Sequence, residues 1–262
     1  MTPGEINVNF KKLTFTNRDG HLLGGRLDLP EGHPPEAYAL FAHCFTCTKD
    51  SRAAAYISRA LTTERIAVFR FDFTGLGESS GDFAETTFTS NVADLVAAAD
   101  FMRAELESPQ LLIGHSLGGA AVLRAATQID SSRAVVTIGS PSDPGHVMRH
   151  IQDHREEIES RGVAEVAIEG RPFQVKKAFL DDLTQYGSGS AVRELNRALL
   201  VLHAPMDETV GIEHAGAIFK EARHPKSFVA LHDADHLLSR EADARYAGSL
   251  IAVWADRYLE RP

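Results

Sequence analysis

The sequence predicts an α/β protein with a mostly parallel sheet of about eight strands and helices on both faces of that sheet. Short apolar runs alternate along the chain with longer segments in which apolar residues recur every three or four positions. Strands that alternate with helices form parallel βαβ units with right-handed crossovers. The length of 262 residues suits one large domain with a sizeable buried core.

The first two predicted strands, 8–16 and 22–29, flank the turn sequence Asn17-Arg18-Asp19-Gly20 and should form an antiparallel hairpin at the sheet edge. The remaining elements alternate. The predicted strands are 38–42, 66–73, 110–113, 134–139, 198–203 and 227–231, and the predicted helices are 50–64, 91–106, 118–129, 213–222 and 242–259.

An insert interrupts this alternation between the strand that ends near Gly139 and the strand that begins near Ala198. The connection is far longer than an ordinary αβ loop. We expect a helix from Asp143-Pro144 to Arg161, a hairpin around Glu169-Gly170-Arg171, a helix over 177–183 and a flexible return at 187–190. The chain is therefore interpreted as a single domain, 1–262, with a cap insert at about 142–197.

An apolar stripe on the first part of this insert supports the cap interpretation. Val147, Ile151 and Ile158 should pack on the rim of the sheet, and the insert should roof a substrate pocket that has Phe173, Phe179 or Leu183 among its walls.

Composition excludes several classes of function. The net charge of −9 provides no basic footprint for nucleic acid or an anionic membrane. The first twenty residues contain no apolar signal segment, and no apolar run approaches the ~18 residues of a membrane span. Two cysteines cannot make a disulfide scaffold. We expect a cytoplasmic protein that binds neither nucleic acid nor membrane.

The pentapeptide Gly114-His115-Ser116-Leu117-Gly118 lies between an apolar strand and an Ala-rich helix. A G-x-S-x-G sequence in this context predicts a nucleophile elbow, in which a sharp turn presents the serine oxygen. Glycines on either side allow the strand and the helix to approach closely. Ser116 is therefore the candidate nucleophile.

A nucleophilic serine needs a histidine base and a carboxylate that orients it, in the chain order Ser, acid, His. Asp207 and His236 follow the last two predicted strands and are the candidate acid and base. Glu208 is an alternative acid, and His232 is an alternative base.

Two N–H groups should stabilise the oxyanion that forms on the substrate. Leu117, directly after the nucleophile, supplies one, and Phe45, in the loop after the third strand, is the candidate for the other.

The chain resembles the α/β-hydrolase superfamily of serine esterases, and more closely the hydrolase half of bacterial proteins that fuse such a domain to an OsmC-type domain. It is also similar to feruloyl and cinnamoyl esterases, which carry a cap at the same point. The stretches that carry the resemblance are 41–47, 71–79, 114–119, 206–210 and 234–238. Cys44 departs from the pattern, because esterases commonly have glycine after the histidine of this loop.

The resemblance implies an α/β-hydrolase fold and hydrolysis of small carboxylic esters through an acyl-enzyme, with no cofactor and no metal. It also implies an OsmC-type domain as a C-terminal partner in relatives, and leaves a homodimer open. A thioesterase, amidase, acyltransferase or C–C bond hydrolase is an alternative on the same triad, and a non-catalytic binding module is an alternative of another class. Dehalogenases and epoxide hydrolases are disfavoured, because they use an aspartate at the elbow.

Two further patterns receive structural interpretations. Cys44 and Cys47 form a C-x-x-C sequence, for which two small buried residues are favoured over a redox or metal site. His146, His150 and His154 have the spacing of one helix face, and a solvated face is favoured over a metal site.

Overall fold

The computed structural model describes residues 9–168, 170–186 and 190–260. Its main sheet has eight strands in the order β1-β2-β4-β3-β5-β6-β9-β10. The strands are β1 Phe10–Thr16, β2 Leu22–Asp28, β3 Ala37–Ala42, β4 Ile66–Phe71, β5 Leu111–His115, β6 Ala134–Ile138, β9 Ala198–His203 and β10 Lys226–Ala230; β7 Val163–Ile168 and β8 Arg171–Lys176 form a separate hairpin. β1 and β2 pair antiparallel, as do β2 and β4, and the other pairs of the main sheet are parallel. The predicted α/β-hydrolase fold with a mostly parallel eight-stranded sheet is confirmed.

Helices cover both faces of the sheet. They are α1 Arg52–Thr63, α2 Phe88–Glu105, α3 Leu117–Ala125, α4 Arg155–Arg161, α5 Lys177–Leu183, α6 Ser190–Glu194, α7 Glu213–Glu221 and α8 Glu241–Ala255. On β4, Ile66 and Val68 face the apolar layer formed with α1 and α8, whereas Ala67 and Phe69 face the layer formed with α2 and α3. This alternation follows from the two-residue period of a strand. Each central strand is therefore buried on both sides.

α2 begins three residues earlier than its apolar pattern predicted. Thr87 caps the helix by accepting a hydrogen bond from the Ser90 N–H at 3.1 Å, and the Ser90 hydroxyl in turn accepts one from the Thr87 N–H at 2.9 Å. This reciprocal cap satisfies two N–H groups that lack helical partners, and it extends the helix to Phe88.

The insert differs from its prediction in its first part. Residues Pro144–His154 form a 3₁₀ stretch, and only Arg155–Arg161 form an α-helix, which ends at Gly162 with φ of 81°. Asp143 caps the 3₁₀ stretch by accepting from the Gly145 N–H at 2.8 Å. The hairpin β7–β8 and helix α5 lie where they were predicted. The return at 187–189 lies outside the described residues.

The stripe predicted on the insert is buried, since the exposed fractions of Val147, Ile151 and Ile158 are 7%, 1% and 0%. These side chains join the apolar layer that contains α2 and α3. In the part of the chain that the structure describes, no helix is long and apolar enough to cross a membrane.

Candidate active site

The turn between β5 and α3 holds Ser116 in a backbone conformation that few residues adopt. Its φ is 55° and its ψ is −126°. The Ser116 N–H donates to the Ile138 carbonyl of β6 at 2.8 Å, which fixes the turn to the neighbouring strand. A Cβ at Gly118 would lie 2.4 Å from the His43 carbonyl oxygen, so glycine is required for the close approach of α3 to the loop after β3. The strain and the packing together present the serine oxygen at the sheet edge.

Ser116, His236 and Asp207 lie in hydrogen-bond contact in that order. His236 Nε2 is 3.0 Å from Ser116 Oγ, and His236 Nδ1 is 2.7 Å from Asp207 Oδ2. The three residues follow β5, β10 and β9, whose carboxyl ends meet at one edge of the parallel sheet. The structure thus brings the three residues named from the sequence together, with the serine positioned to give its proton to the imidazole.

The surroundings of Asp207 stabilise its ionised form. Burial raises the pKa of this carboxyl, but hydrogen bonds from His236 and from the N–H groups of Val210 and Thr209 outweigh burial and leave the pKa lowered. Those two N–H groups donate to Oδ1 at 2.8 and 2.9 Å, while Oδ2 faces the imidazole. The carboxylate is therefore fixed in orientation and remains charged beside His236.

Neither alternative residue contacts the site. Glu208 points into solvent although it is next to Asp207 in sequence, and His232 is likewise exposed. Asp207 by contrast is 7% exposed, and its side chain is turned inward by the two N–H groups that it accepts.

Two buried histidines without a role in the sequence analysis support the triad. His115 Nε2 donates to the His236 carbonyl at 2.7 Å, and His203 Nε2 donates to the Val210 carbonyl at 2.7 Å. Burial, followed by the nearby His236 imidazole, lowers the pKa of His115 to about 4, and burial lowers the pKa of His203. Both rings are therefore neutral donors at neutral pH. Their hydrogen bonds hold the backbone of the two loops that carry His236 and Asp207.

The loop after β3 contains a disulfide bond between Cys44 and Cys47. Two small buried residues were predicted here; Cys44 is buried and Cys47 half-buried, but the two are joined by a bond that the prediction did not include. The Cys47 N–H also donates to the Cys44 carbonyl at 3.1 Å, so the loop turns back on itself and brings the two sulfur atoms together. The bond encloses Phe45 and Thr46.

The side chain of Phe45 connects this loop to the insert. Its ring stacks on Phe179 of α5 at 5.1 Å between centroids and packs against Phe83 at 5.5 Å, and Phe83 in turn contacts Phe173 of β8 at 4.9 Å. Arg171 of β8 also donates from Nη2 to the Thr46 carbonyl. The insert is therefore attached directly to the loop that carries the predicted oxyanion donor.

A pocket of about 240 Å³ opens at Ser116. The triad side is lined by Ser116, Leu117, Thr209, Val210 and His236, the β3 loop side by Cys44, Phe45 and Thr46, and the remaining wall by Pro141, His146, Val147, Ala167 and Ile168. The insert therefore lines the pocket as predicted, through His146, Val147, Ala167 and Ile168. The wall residues named from the sequence, Phe173, Phe179 and Leu183, are not among the lining residues. Phe179 and Leu183 are instead part of the apolar core, and Phe173 packs against that core.

His146 does not lie on the solvated helix face that the spacing predicted, and the side chain of His150 is outside the described part of the structure. His146 is 9% exposed, and its Nε2 donates to the Thr209 carbonyl at 3.0 Å. Its ring packs edge-on against His214 at 4.3 Å. The 3₁₀ geometry, with three residues per turn, removes the helical spacing on which the prediction depended. Within residues 9–168, 170–186 and 190–260, no group of three or more His, Cys, Asp or Glu side chains is arranged to hold a metal ion.

Residues 39–256 match the model of the alpha/beta hydrolase family. Among solved structures, the chain is similar to the esterase domain of a Rhodothermus marinus protein, with 50% identity, coverage of 95% of this chain and 99% of that chain, and a TM-score of 0.78. It also shares its fold with the Est1E structure from Butyrivibrio proteoclasticus that holds ferulic acid, at 20% identity, coverage of 94% and 99%, and a TM-score of 0.80.

Two relatives found by sequence are less similar to the chain than the Rhodothermus marinus domain is. The uncharacterized protein YfhR of Salmonella typhi is 26% identical over 90% of this chain and 76% of its own length. The mitochondrial palmitoyl-protein thioesterase ABHD10 of Mus musculus is 26% identical over 68% of this chain and 61% of its own length. With the family model matching most of the chain, the fold and the nucleophile elbow lead to one conclusion: the chain belongs to the alpha/beta hydrolase family.

Proposed function

We propose that this hydrolase is a serine carboxylesterase that cleaves small to medium esters through an acyl-enzyme. The observation that carries the proposal is the row of contacts from Ser116 Oγ to His236 Nε2 at 3.0 Å and from His236 Nδ1 to Asp207 Oδ2 at 2.7 Å, at the mouth of a pocket. The similarity to an esterase domain at 50% identity supports the same reaction class.

In the first half of the reaction, Ser116 Oγ attacks the ester carbonyl carbon while His236 Nε2 takes the serine proton. Asp207 stabilises the imidazolium that forms and keeps Nδ1 protonated. Neither the Phe45 nor the Leu117 N–H donates to an acceptor within the described part of the chain, and both residues line the pocket. These two groups receive the oxyanion, with the N-terminus of α3 adding its positive dipole end.

Collapse of the tetrahedral intermediate breaks the bond between the carbonyl carbon and the alcohol oxygen, and His236 gives its proton to the departing alcohol. A water molecule then attacks the acyl-enzyme, again with His236 as base, and releases the carboxylic acid and free Ser116. The step needs no group beyond these side chains and the two N–H donors.

The pocket supports a small or medium substrate. Its volume of about 240 Å³ lies just below the range of about 300–1,000 Å³ that is typical of sites for drug-sized ligands. Val147, Ala167 and Ile168 offer apolar surface to an acyl group. Each buried methylene should therefore improve binding by about 0.8 kcal/mol until the pocket is full.

A thioesterase is the second candidate, because the chain is similar to a palmitoyl-protein thioesterase. The same triad would cleave a thioester. The size of the pocket argues against a long acyl chain such as palmitoyl. Comparing kcat/KM for oxygen esters and thioesters that carry the same acyl group distinguishes the two reactions.

The test combines covalent labelling with turnover. A fluorophosphonate should label the wild type at Ser116, and a series of p-nitrophenyl esters of increasing acyl length should be hydrolysed with KM falling to a minimum. Ser116→Ala should abolish labelling and lower kcat by roughly 10⁶-fold. Ser160→Ala, at an exposed serine of α4 outside the pocket, is the matched control and should leave both unchanged. An unlabelled wild type that hydrolyses none of the esters or thioesters would reject the proposal in favour of a binding module.

A further inference from the structure

The first turn of the insert places a buried histidine in the wall of the pocket. His146 is 9% exposed and lines the pocket beside Val147. Its backbone is fixed where the 3₁₀ stretch begins, because the His146 N–H donates to the Asp143 carbonyl at 3.0 Å. Its ring packs edge-on against His214 at 4.3 Å between centroids. The side chain is therefore held by its own backbone and by a neighbouring ring.

The same ring contacts the loop that carries the candidate acid. His146 Nε2 is 3.0 Å from the Thr209 carbonyl oxygen, although the two residues are 63 positions apart in the chain. Because a carbonyl oxygen can only accept, Nε2 carries the proton in this bond. The bond therefore joins the insert to the loop after β9.

The Thr209 carbonyl belongs to the same peptide unit as the Val210 N–H. A trans peptide is planar, so its C=O and N–H point in opposite directions. On one side the oxygen accepts from His146, and on the other side the N–H donates to Asp207 Oδ1 at 2.8 Å. The second carboxylate oxygen, Oδ2, is 2.7 Å from His236 Nδ1. One series of hydrogen bonds thus connects the insert, through a single peptide unit, to the base of the candidate triad.

We propose that His146 is a positioning residue, whose Nε2–H fixes the peptide that holds the Asp207 carboxylate in line with His236. Loss of this donor frees the peptide to rotate, which withdraws one N–H from Oδ1 and leaves the Thr209 N–H as the remaining backbone donor to that oxygen. In addition to lining the pocket, the insert then aligns the acid of the triad. The inference rests on the proposed esterase function.

Two substitutions of equal length separate the hydrogen bond from the bulk of the side chain. In His146→Gln, the amide nitrogen falls close to the position of Nε2 and can still donate to the Thr209 oxygen. In His146→Met, the thioether has a similar length and volume but offers no donor. Both variants lose the imidazole that packs against His214 and lines the pocket, which makes them a matched pair.

The expected results follow from the role of the acid. Replacing a triad aspartate by asparagine costs about 10⁴ in kcat. His146→Met, which leaves the carboxylate and the Thr209 N–H in place, should lose about ten- to thirtyfold in kcat, whereas His146→Gln should stay within about threefold of the wild type. Equal losses of kcat in the two variants, or losses that only follow their free energies of unfolding in urea, would overturn the inference.

The length of the acyl group separates positioning from a simple wall contact. The loss of kcat in His146→Met should be the same for p-nitrophenyl acetate and for longer esters, because the defect lies in the triad. A loss of kcat/KM that is confined to the longer esters would overturn the inference, since His146 would then be only part of the pocket wall.

A double-mutant cycle shows whether the effect depends on Asp207. In Asp207→Ala, no carboxylate remains for the peptide to hold. Adding His146→Met to that variant should therefore lower kcat by less than about twofold. Equal fold losses in the two backgrounds would overturn the inference, because His146 would then act independently of Asp207. Absence of ester hydrolysis by the wild type would instead refute the proposed function.

A measurement on the unaltered protein remains decisive if a variant does not fold. ¹⁵N-resolved NMR of the histidine side chains should show the His146 proton on Nε2, in slow exchange with solvent. A proton on Nδ1 alone would overturn the inference, because Nε2 could then not donate to the Thr209 carbonyl.

Discussion

The clamp between His115 and the His236 backbone leads to a quantitative prediction for stability against pH. Burial lowers the pKa of His115 from its ordinary value of 6.5 to about 4. Between these two values the unfolded chain binds a proton at this imidazole that the folded chain does not bind. The free energy of unfolding therefore falls as the pH falls from about 6.5 to about 4, and it is restored above 6.5.

The magnitude follows from the size of the gap. At 1.36 kcal/mol for each pH unit, a fall from 6.5 to about 4 corresponds to about 3 kcal/mol. His115→Gln tests this value, because the glutamine amide can replace Nε2 as donor to the His236 carbonyl but does not titrate. As the pH is lowered through this window, the free energy of unfolding of the wild type should fall by about 3 kcal/mol more than that of His115→Gln.

Urea unfolding followed by the fluorescence of Trp254, the single tryptophan, gives the free energy of unfolding at each pH. His33→Gln, at an exposed histidine, is the control. Its free energy of unfolding should depend on pH in the same way as that of the wild type. A difference between wild type and His115→Gln that stays constant from pH 7.5 to 4 would refute the assignment of this proton to His115.

Three further predictions concern the candidate active site. Asp207→Asn should lower kcat about 10⁴-fold, because the imidazole loses its preferred tautomer. Glu208→Gln, at an exposed residue, should leave the turnover of the same ester unchanged. Comparable losses of kcat in the two variants would contradict the observed geometry. Phe45→Pro removes the N–H and should cost about 10²–10³ in kcat, and Phe45→Leu, which keeps the N–H and an apolar side chain, should cost clearly less. Reduction of the Cys44–Cys47 bond by dithiothreitol, which yields two thiols and oxidised reagent, should lower kcat because the loop becomes less constrained. The double variant Cys44→Ser, Cys47→Ser should show no change in kcat on treatment. An equal change in both proteins would mean that the reagent acts elsewhere.

Local sequence was sufficient for most elements of the fold. The short apolar run of β4 and the apolar face of α1 each identify an element without any tertiary information, because a strand buried on both sides is apolar throughout and a surface helix is apolar on one face. The start of α2 was missed, since the reciprocal cap at Thr87 and Ser90 extends the helix beyond its apolar pattern. The first part of the insert was predicted as α-helix but forms a 3₁₀ stretch, and the apolar spacing alone did not distinguish the two.

The residues of the candidate triad could also be named from sequence, because the elbow motif and the strand ends are local signals. The sequence favoured Asp207 as the acid but left Glu208 open, and the structure shows which of the two carboxylates contacts His236. Adjacent residues in a loop differ in direction, and only the N–H groups of Thr209 and Val210 show which carboxylate turns inward. The disulfide likewise depends on a turn that closes Cys44 onto Cys47, which their spacing alone did not establish.

What the sequence by itself determined is the order of strands and helices, the nucleophile elbow and a short set of candidate side chains, since each depends on residues that are close along the chain. What only the tertiary structure decided is the pocket walls, the attachment of the insert to the β3 loop through Phe45 and Arg171, and the supporting bonds of His146 and His115. Most of these contacts join segments that are distant in the chain, and all of them depend on side-chain rotamers and peptide orientations that are fixed by packing. A buried imidazole shows its role only when the partner of each ring nitrogen is known.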